Sequence, residues 1–556
     1  MCDNLHPQTG EKLTPRTKTG RRVGYDINFH VPKSVSIALE VGGDRRIVSA
    51  FRRAVRDTME LMESEMQTRV RKDAANGQRL TGNMVWAEYI HHTARPVDGY
   101  PDPHLHAHCV AFNATYDDVE KQWKAGEFGD LKRDSPYFQA VYWNRFAENL
   151  MALGYEVERR GKGWELVGVT PSAVKRFSRR TEAIERIAIE KQIFDPAAKA
   201  EIGASSRNNK MKRLSMVDLR ETWTSLLTGS EAFGLNLLKE SLKTGPKRML
   251  DWQEAVRESL DHGLDHELAR TSVVTARRLM ATVLTHGIGR FNREHAEAAF
   301  SDRCRDKSIL SRLQGDQLMV TTPAVLAEER RMLDKVIEGR GTKDPIAPDY
   351  HLTDEQLSAE QQAAVRHILQ STDSVILLRG RAGTGKTRAV HEVVSGIESA
   401  AKTIQPLAPT GMATHEVLRG DGFKDPQTVA HLPGNTDLQK RLSGQVIWVD
   451  EAGLLSVPDL VALVDIAEKT NARLLLSGDS GQHSSVTRGD AMRLLESETG
   501  LKTAELTQVR RQRVSEYKRA AEALSRGDVE DGFERLDRMG AVHEADQETH
   551  QKLKWR

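Results

Sequence analysis

The sequence predicts three successive regions: an α+β domain with an antiparallel sheet, a mostly helical middle, and an α/β domain with a parallel sheet. Three observations predict this order. Histidines alternate along a β-rich segment in the first region, and the middle is charged with helical periodicity. In the third region a glycine-rich phosphate loop follows a short apolar run. We place the regions at residues 1–200, 201–345 and 346–556.

Composition limits the class of protein. Charged residues make up 29% and aromatic residues 5% of 556 residues, which suits a helix-rich chain of several domains. No run approaches the roughly 18 apolar residues of a membrane helix, and no signal peptide is visible. We therefore expect a cytoplasmic protein without membrane insertion. Three scattered cysteines (Cys2, Cys109 and Cys304) argue against a disulfide framework. Basic clusters at 175–180 and 210–213 could follow a phosphate backbone or simply be solvated helix faces.

The first region begins with a strand and a helix. Apolar and polar residues alternate from Val23 to Phe29, which predicts a strand. The segment Val31–Ser36 is predicted to turn into one long amphipathic helix that runs to about Arg71. Ser34 or Ser36 is a candidate N-cap for that helix.

An antiparallel strand pair is predicted next, from Met84 to His92 and from His104 to Ala114, around a loop rich in proline and glycine. Period-two alternation puts one set of histidines on a common face: His104, His106 and His108. His91 or His92 could join that face from the neighbouring strand. Imidazoles arranged in this way suit a divalent metal with open coordination positions; the alternative is a merely polar face.

The most specific motif is G-x-x-x-x-G-K-T, from Gly380 to Thr387. It lies between an apolar run at 375–378 and a helical segment, which is the strand–loop–helix context that a phosphate loop requires. Backbone N–H groups there can converge on phosphate oxygens at a helix N-terminus. Lys386 would reach the β- and γ-phosphates and Thr387 would bind Mg²⁺. The predicted nucleotide-binding residues of this loop are Gly380, Gly383, Thr384, Gly385, Lys386 and Thr387.

Two later apolar segments end in acids. The run Val446–Val449 is followed by Asp450, predicted to bind Mg²⁺ through water, and Glu451, predicted to activate the attacking water. A second run at 473–476 leads into Ser477-Gly478-Asp479, with Gln482 after it as a predicted γ-phosphate sensor. Together these segments predict a parallel sheet whose site lies at the carboxyl ends of its strands.

The C-terminal motifs resemble the first RecA-like domain of a superfamily 1 helicase of the RecD-like branch. The resemblance implies that ATP and Mg²⁺ are the cofactors and that residues 407–413 grip single-stranded DNA. It also implies roles in nucleotide binding and hydrolysis for residues in four motifs: Gln361 for adenine, Asp450 and Glu451 in Walker B, Gly478, Asp479 and Gln482 in motif III, and Arg511 for the γ-phosphate. His483 departs from the family, which usually carries an apolar residue there.

The N-terminal motifs resemble the relaxase domain of conjugative relaxase–helicases of the MobF type. The matching segments are Gly24–Phe29, Pro32–Ser36 and the histidine strand. The resemblance implies that His91, His106 and His108 bind Mg²⁺ or Mn²⁺. It also implies that Asp26 orients a ligand histidine. By the same comparison, His104 is a neighbour of the ligands.

Both resemblances together imply a DNA relaxase–helicase of conjugative plasmid mobilization. Such a protein nicks transfer-origin DNA through a tyrosine–phosphate bond and unwinds DNA with ATP. The implied partners are single-stranded DNA, transfer-origin DNA and other relaxosome or secretion-system proteins.

Two departures from the family make truncation at both ends our expectation, with impaired nicking and unwinding. The nucleophilic tyrosines of the family lie upstream of the matching segment, and Tyr25 is predicted to face away from Asp26. No second motor domain is recognised before Arg556. The alternatives are a non-catalytic DNA-binding remnant and an ATP-dependent nucleic-acid motor subunit.

Overall fold

The computed structural model groups the chain into two compact units: residues 1–267 with 274–320, and residues 268–273 with 321–556. No helix in the described part of the chain has the length and apolar run needed to cross a membrane. The division at residues 200 and 345 stays a prediction. The structure describes residues 3–6, 8–13, 22–72, 75–97, 99–161, 163–191, 193, 195, 198–199, 215–245, 251–380, 383–479, 488–508, 515–525 and 528–542.

The first unit combines small antiparallel sheets with helices, as predicted. Its described strands are β1 (Gly24–His30), β2 (Gln67–Lys72), β3 (Ala75–Leu80), β4 (Trp86–Thr93), β5 (Pro103–Phe112), β6 (Thr115–Asp117), β7 (Gln122–Lys124), β8 (Gly126–Glu127), β9 (Val157–Arg160), β10 (Gly163–Leu166), β11 (Val274–Thr275), β12 (Leu310–Gln314) and β13 (Gln317–Thr321). The described sheet orders are β1-β5-β4, β3-β2-β8, β6-β7, β10-β9 and β11-β13-β12.

Helices cover and extend these sheets. They are α1 (Lys33–Glu40), α2 (Arg46–Ser64), α3 (Gly129–Arg133), α4 (Ser135–Ala152), α5 (Pro171–Arg176), α6 (Arg179–Glu190), α7 (Met216–Ser225), α8 (Gly229–Ser241), α9 (Trp252–Leu268), α10 (Ala276–His286) and α11 (Arg293–Arg305), with a 3₁₀ turn at Leu242–Thr244. The aromatic core of this unit joins α2 to α4. Phe51 packs edge-on against Phe146 at a centroid distance of 5.8 Å, and Tyr142 packs edge-on against Phe29 of β1 at 5.1 Å.

The predicted single helix from Val31 to Arg71 is wrong. The chain forms α1 and α2 with a break between them, and then enters strand β2. Gly43 has φ +81° in that break, a conformation that favours glycine, and Asp44 accepts a hydrogen bond from the backbone N–H of Arg46 (3.1 Å). Residues 67–72 are a strand because they pair antiparallel with β3. Tertiary pairing has overridden the helical pattern there.

The predicted serine cap is also wrong. Pro32 is the N-cap of α1, and both serines lie inside the helix and are buried. Ser34 Oγ accepts from the backbone N–H of Leu166 (2.8 Å), and Ser36 Oγ accepts from that of Leu105 (3.1 Å). The two hydroxyls therefore tie α1 to strands β10 and β5.

The second unit is built on a parallel sheet of order β16-β15-β17-β18-β14-β19. Its strands are β14 (Val375–Gly380), β15 (Ile404–Ala408), β16 (Gln427–Thr428), β17 (Val446–Val449), β18 (Arg473–Gly478) and β19 (Thr503–Leu506). Its helices are α12 (Pro323–Glu338), α13 (Ala359–Gln370), α14 (Lys386–Ser399), α15 (Thr436–Arg441), α16 (Val457–Lys469), α17 (Ala491–Glu498), α18 (Ser515–Ser525) and α19 (Val529–Arg538), with a π-helix at Ala413–Leu418 and 3₁₀ turns at Val429–His431 and Ala452–Leu454.

Helices cover both faces of this sheet. Alternate residues of the central strands enter two separate cores: Leu377 and Leu476 join one with α12 and α16, and Leu378 and Leu475 join the other with α13 and α14. Because both faces are buried, the strands read as continuous apolar runs. The loops at the carboxyl ends of the strands are then the places where polar residues can gather.

Candidate functional site

Strand β5 presents its histidines on a single face. Burial alternates along Pro103–Phe112 with a period of two. The buried face is made of small and apolar residues that are fully enclosed: Leu105, Ala107, Cys109 and Ala111. His104, His106 and His108 therefore lie together on the opposite face, as the alternation predicted.

Strand pairing brings the other predicted residues to this face. His91 of β4 lies directly opposite His106, and Asn28 of β1 lies opposite His108. His106 thus occupies the middle strand, with His91 on one side and His30 on the other. Side chains at such positions share a face of the sheet, so a set of residues distant in sequence becomes a local cluster.

The three predicted ligands are mutual neighbours. Ring centroids are separated by 5.3 Å for His91 and His106, 5.5 Å for His91 and His108, and 5.3 Å for His106 and His108. Three imidazoles bound to one ion at about 2.1 Å place their ring centres about 5 Å apart, so the spacing fits a common ion. Within the described ranges, however, no group of three or more His, Cys, Asp or Glu side chains is already arranged to hold a metal. The metal site accordingly stays a prediction.

Two hydrogen bonds define which nitrogen each imidazole can offer. His108 Nδ1 lies 2.8 and 3.1 Å from the two carboxylate oxygens of Asp26, and His106 Nδ1 lies 3.0 Å from the carbonyl oxygen of His104. Both partners are acceptors, so Nδ1 carries the proton in each ring and Nε2 keeps its lone pair. Asp26 thus contacts His108, and its role in orienting a metal ligand stays a prediction.

Burial keeps the central histidines neutral. Desolvation lowers the pKa of His106 to about 4, and the neighbouring His91 and His108 lower it further while the His104 carbonyl opposes the shift. Desolvation also lowers the pKa of His104, with Lys33 as the next largest cause. Neutral imidazole is the form that binds metals, so His106 is available as a ligand at neutral pH.

A cleft of about 650 Å³ opens over this face. Cationic side chains line it beside the histidines: Lys33, Arg95 and Arg180. Lys33 Nζ donates to the carbonyl oxygen of Pro103 (2.9 Å), and desolvation lowers the pKa of this ammonium to about 8 against the opposing pull of Asp102 and Glu165. A cleft with this lining favours an anionic ligand.

Two tyrosines flank the histidine face in different ways. Tyr25 pairs with Ala111 and stacks on Phe128 at 4.1 Å, so it faces away from the histidines, as predicted. Tyr89 was missed by the sequence analysis. It lies opposite His108 on β4, on the histidine face, and is 56% exposed. The signal was present in the sequence, because Tyr89 is two residues before His91 on the same strand.

The phosphate loop of the second unit joins β14 to α14. Gly380 ends the strand, and Gly385 is the N-cap of the helix with φ +83°. A Cβ on Gly385 would lie 2.6 Å from Gln361 Nε2, and a Cβ on Gly380 would lie 2.6 Å from Lys386 Cγ. The left-handed φ of Gly385 is the conformation that favours glycine. Lys386 and Thr387 begin α14, whose N-terminus has no capping side chain, and the intervening Arg381 and Ala382 lie outside the described residues.

The predicted adenine-reading residue, Gln361, hydrogen-bonds to the backbone of the phosphate loop. Gln361 is buried on α13, where it forms a capping box with Ser358. Its Nε2 donates to the carbonyl oxygen of Gly385 (3.0 Å) and its Oε1 accepts from the backbone N–H of Ser358 (3.0 Å). Thr384 is also buried, and Gly383 has φ +77°. Nucleotide contact by these residues stays a prediction.

The predicted acids lie at the correct end of the sheet. Asp450 follows β17 directly, and its Oδ1 accepts from the Ser477 hydroxyl at 2.8 Å. Glu451 is exposed and has φ +53°, a left-handed conformation that is costly for a residue with a Cβ. Such strain at the carboxyl end of a parallel strand is typical of functional positions.

The structure describes only some of the remaining predicted site residues of the second unit. Residues 407–413 run from the end of β15 to the start of the π-helix Ala413–Leu418, and Gly478 and Asp479 follow the same edge at the end of β18. Gln482, His483 and Arg511 lie outside the described residues.

The second unit thus has the fold of a RecA-like P-loop domain, and the first is an α+β domain with a histidine-lined cleft. Residues 1–229 match the family model described as TrwC relaxase, and residues 356–547 match the model described as an AAA domain. The chain contains these two domains in this order, and its sequence is similar to the conjugation proteins TraI and TraA.

The similar conjugation proteins TraI and TraA are longer than this chain. The multifunctional conjugation protein TraI of Escherichia coli is 26% identical over 489 residues, covering 83% of this chain and 26% of TraI. The conjugal transfer protein TraA of Rhizobium radiobacter is 22% identical over 397 residues, covering 70% of this chain and 33% of TraA. Among solved structures, the metal-bound complex of the conjugative relaxase TrwC with oriT DNA is 28% identical and covers 42% of this chain and 80% of that chain, with a TM-score of 0.38. The chain therefore spans about a quarter of TraI.

Proposed function

We propose that this chain processes single-stranded DNA at a conjugative transfer origin, with a metal-assisted strand-transfer site in the first unit and an ATP site in the second. The observation that carries the proposal is the cluster of His91, His106 and His108, whose ring centroids lie 5.3 to 5.5 Å apart. All three line a cleft that also contains cationic side chains. The relatives TraI and TraA are conjugation proteins by name.

The donor set fits a divalent metal. Neutral imidazoles are good ligands for first-row divalent ions, and three of them leave coordination positions open for phosphate oxygens. A bound Mg²⁺ or Mn²⁺ would supply positive charge to a scissile phosphate. Asp26 fixes the ring of His108 through Nδ1, and the His104 carbonyl does the same for His106.

The cleft fits a nucleic-acid backbone. Lys33, Arg95 and Arg180 present positive charge along its wall, and phosphate contacts of this kind dominate the affinity for DNA. Tyr89 at the edge of the histidine face provides an exposed ring on which a base can stack. Residues 407–413 in the second unit are the proposed second contact with single-stranded DNA.

Strand transfer requires a phenolate that attacks phosphorus while the sugar oxygen leaves, so a tyrosine–phosphate ester replaces a phosphodiester. Tyr25 does not suit this role because it stacks on Phe128 away from the histidines. The second candidate function is a DNA-binding module that occupies origin DNA without cutting it.

The second unit is proposed to bind ATP with Mg²⁺. Gly383, Gly385 and Lys386 form the phosphate loop, Thr387 and Asp450 are the proposed Mg²⁺-binding residues, and Glu451 is the proposed base for water. The left-handed conformations of Gly383 and Gly385 support this because successive backbone N–H groups in such turns can converge on phosphate oxygens. Helicase action and the contributions of Gln482 and Arg511 extend this proposal.

The two candidate functions separate in one experiment. Transfer-origin oligonucleotides labelled at one end are incubated with the protein and Mn²⁺, and covalent adducts are resolved in denaturing gels. An adduct that is lost in a variant lacking one ligand, H106A, supports strand transfer. Binding that falls steeply with salt, without any adduct, supports the DNA-binding module. Loss of the adduct in Y25F would contradict our exclusion of Tyr25.

A further inference from the structure

A buried serine lies among the apolar side chains between β17 and β18. Ser477 is fully enclosed at the end of β18, next to the strand that leads to Asp450. A hydroxyl in such a place is costly unless both its donor and its acceptor are used. Its partners therefore indicate what the serine does.

Ser477 links a tryptophan to the proposed Mg²⁺-binding acid. The indole Nε1–H of Trp448 donates to Ser477 Oγ (2.8 Å), and Ser477 Oγ lies 2.8 Å from Asp450 Oδ1 and 3.4 Å from the Val449 carbonyl oxygen. The indole is only a donor, so the single hydroxyl hydrogen of Ser477 is directed to the nearer acceptor, Asp450. Trp448 is itself held by an edge-on contact with Phe423 at 4.6 Å.

We propose that Ser477 is a positioning residue for Mg²⁺ at the ATP site. Its hydroxyl occupies Oδ1 of Asp450, fixes the rotation of the carboxylate and leaves Oδ2 for the hydrated ion. This inference rests on the proposed function, in which Asp450 receives that ion. A hydrogen bond to a charged carboxylate contributes more than one between neutral groups, so its loss is measurable.

Backbone packing supports the same arrangement. A Cβ on Gly453 would lie 2.6 Å from the carbonyl oxygen of Asp479, and a Cβ on Gly478 would lie 2.7 Å from the backbone nitrogen of Gly453. The loop after β17 and the loop after β18 are therefore in direct backbone contact. The end of β18 thus contacts Asp450 through the side chain of Ser477. It also contacts the loop that contains Glu451 through the backbone of Gly478.

The test is a Mg²⁺ titration of nucleotide binding. Binding of ATP carrying a fluorescent N-methylanthraniloyl group is measured by fluorescence at increasing Mg²⁺ for the wild type and S477A. We expect S477A to raise the half-saturating Mg²⁺ concentration about tenfold, which corresponds to the loss of one charge-assisted hydrogen bond. Binding of the same nucleotide in EDTA should be unchanged.

Two further variants separate positioning from stability. The double variant W448F/S477A also removes the indole donor that S477A leaves unpaired, and the Mg²⁺ defect should persist in it. S456A is the matched control, because Ser456 is also buried but caps α16 through Asp459. It should lower the melting temperature and leave the Mg²⁺ midpoint unchanged.

The outcomes are distinct. A midpoint within twofold of the wild type in both S477A and the double variant overturns the inference and leaves the proposed ATP site standing. A wild type that binds the nucleotide without any dependence on Mg²⁺, or does not bind it, overturns the proposed function and the inference with it.

Discussion

The two sites of this chain are built in opposite ways. The proposed nucleotide site is one continuous segment, the phosphate loop, in which Gly383 and Gly385 have left-handed backbone conformations. The histidine site is made of side chains from separate strands, and its geometry exists only because β4 pairs in register with β5. The first kind of site is contained in local sequence, whereas the second depends on the sheet.

The difference extends to electrostatics. Backbone N–H groups at the start of α14 have no protonation state to lose, so the phosphate binding proposed there should depend weakly on pH. The proposed histidine site needs neutral rings, and burial lowers the pKa of its central ring, His106, to about 4. The phosphate loop is therefore expected to be sensitive to substitutions within a short segment. The histidine site is expected to be sensitive to acid and to the loss of residues that hydrogen-bond its histidines, such as Asp26.

The largest expected effect is a loss of ATP affinity on substitution of a lysine in the phosphate loop. K386A removes the cation proposed to contact the β- and γ-phosphates, which should weaken ATP binding by about 3 kcal/mol, or on the order of 100-fold. Isothermal titration calorimetry with ATP and Mg²⁺ measures the change. K424A, which removes a lysine side chain that is 92% exposed, is the control and should bind normally. Equal loss in both variants would contradict the assignment.

A smaller effect, on Mn²⁺ affinity, is expected from substitution of Asp26, the hydrogen-bond partner of His108. D26N keeps the shape of Asp26 and removes the charge that holds His108 Nδ1–H, so Mn²⁺ affinity should fall about tenfold. ATP binding should not change. The matched control is D118N on the surface of the same unit, whose carboxylate is 77% exposed. A normal Mn²⁺ affinity in D26N would show that this hydrogen bond does not position the ligand.

Removal of the ring of Tyr89 should have a still smaller effect. If a base stacks on it, Y89A loses about 1 kcal/mol of single-stranded DNA binding, or roughly fivefold, and Y89F retains the affinity. Fluorescence anisotropy with a labelled oligonucleotide at fixed salt measures both variants. Equal loss in Y89F would instead assign the role to the hydroxyl.

Acid should destabilise the first unit modestly. His104 and His106 have lowered pKa values in the fold, so between pH 6.5 and about 4 the unfolded chain binds protons that the folded chain does not. Stability is therefore full above pH 6.5 and declines as the pH falls through this window. Urea denaturation in EDTA should show a lower midpoint at pH 5 than at pH 7, with a smaller difference in H104Q. A midpoint that does not depend on pH would argue against buried neutral rings.

Short-range patterns predicted much of this molecule. Alternation along β5 predicted the histidine face, and the context of the phosphate loop predicted β14 and α14. Both signals come from residues within one element. The three-region order of fold types also followed from such patterns.

Long-range contacts account for what was not predicted. Residues 67–72 form a strand only because β3 and β8 pair with them. Ser36 lies inside α1 and accepts a hydrogen bond from a backbone N–H of β5. Ser477 contacts Asp450 because β17 and β18 are adjacent strands of the sheet. No local pattern contains the identity of such partners.

The central claim is that His91, His106 and His108 bind one metal ion while His104 does not. Calorimetric titration with Mn²⁺ of H91A, H106A, H108A and H104A, each checked for ATP binding as a measure of folding of the other unit, tests it directly. We predict a single Mn²⁺ site that weakens roughly 100-fold in each of the first three variants and at most slightly in H104A. Normal Mn²⁺ binding in any one of the three, or its loss in H104A, would contradict the claim.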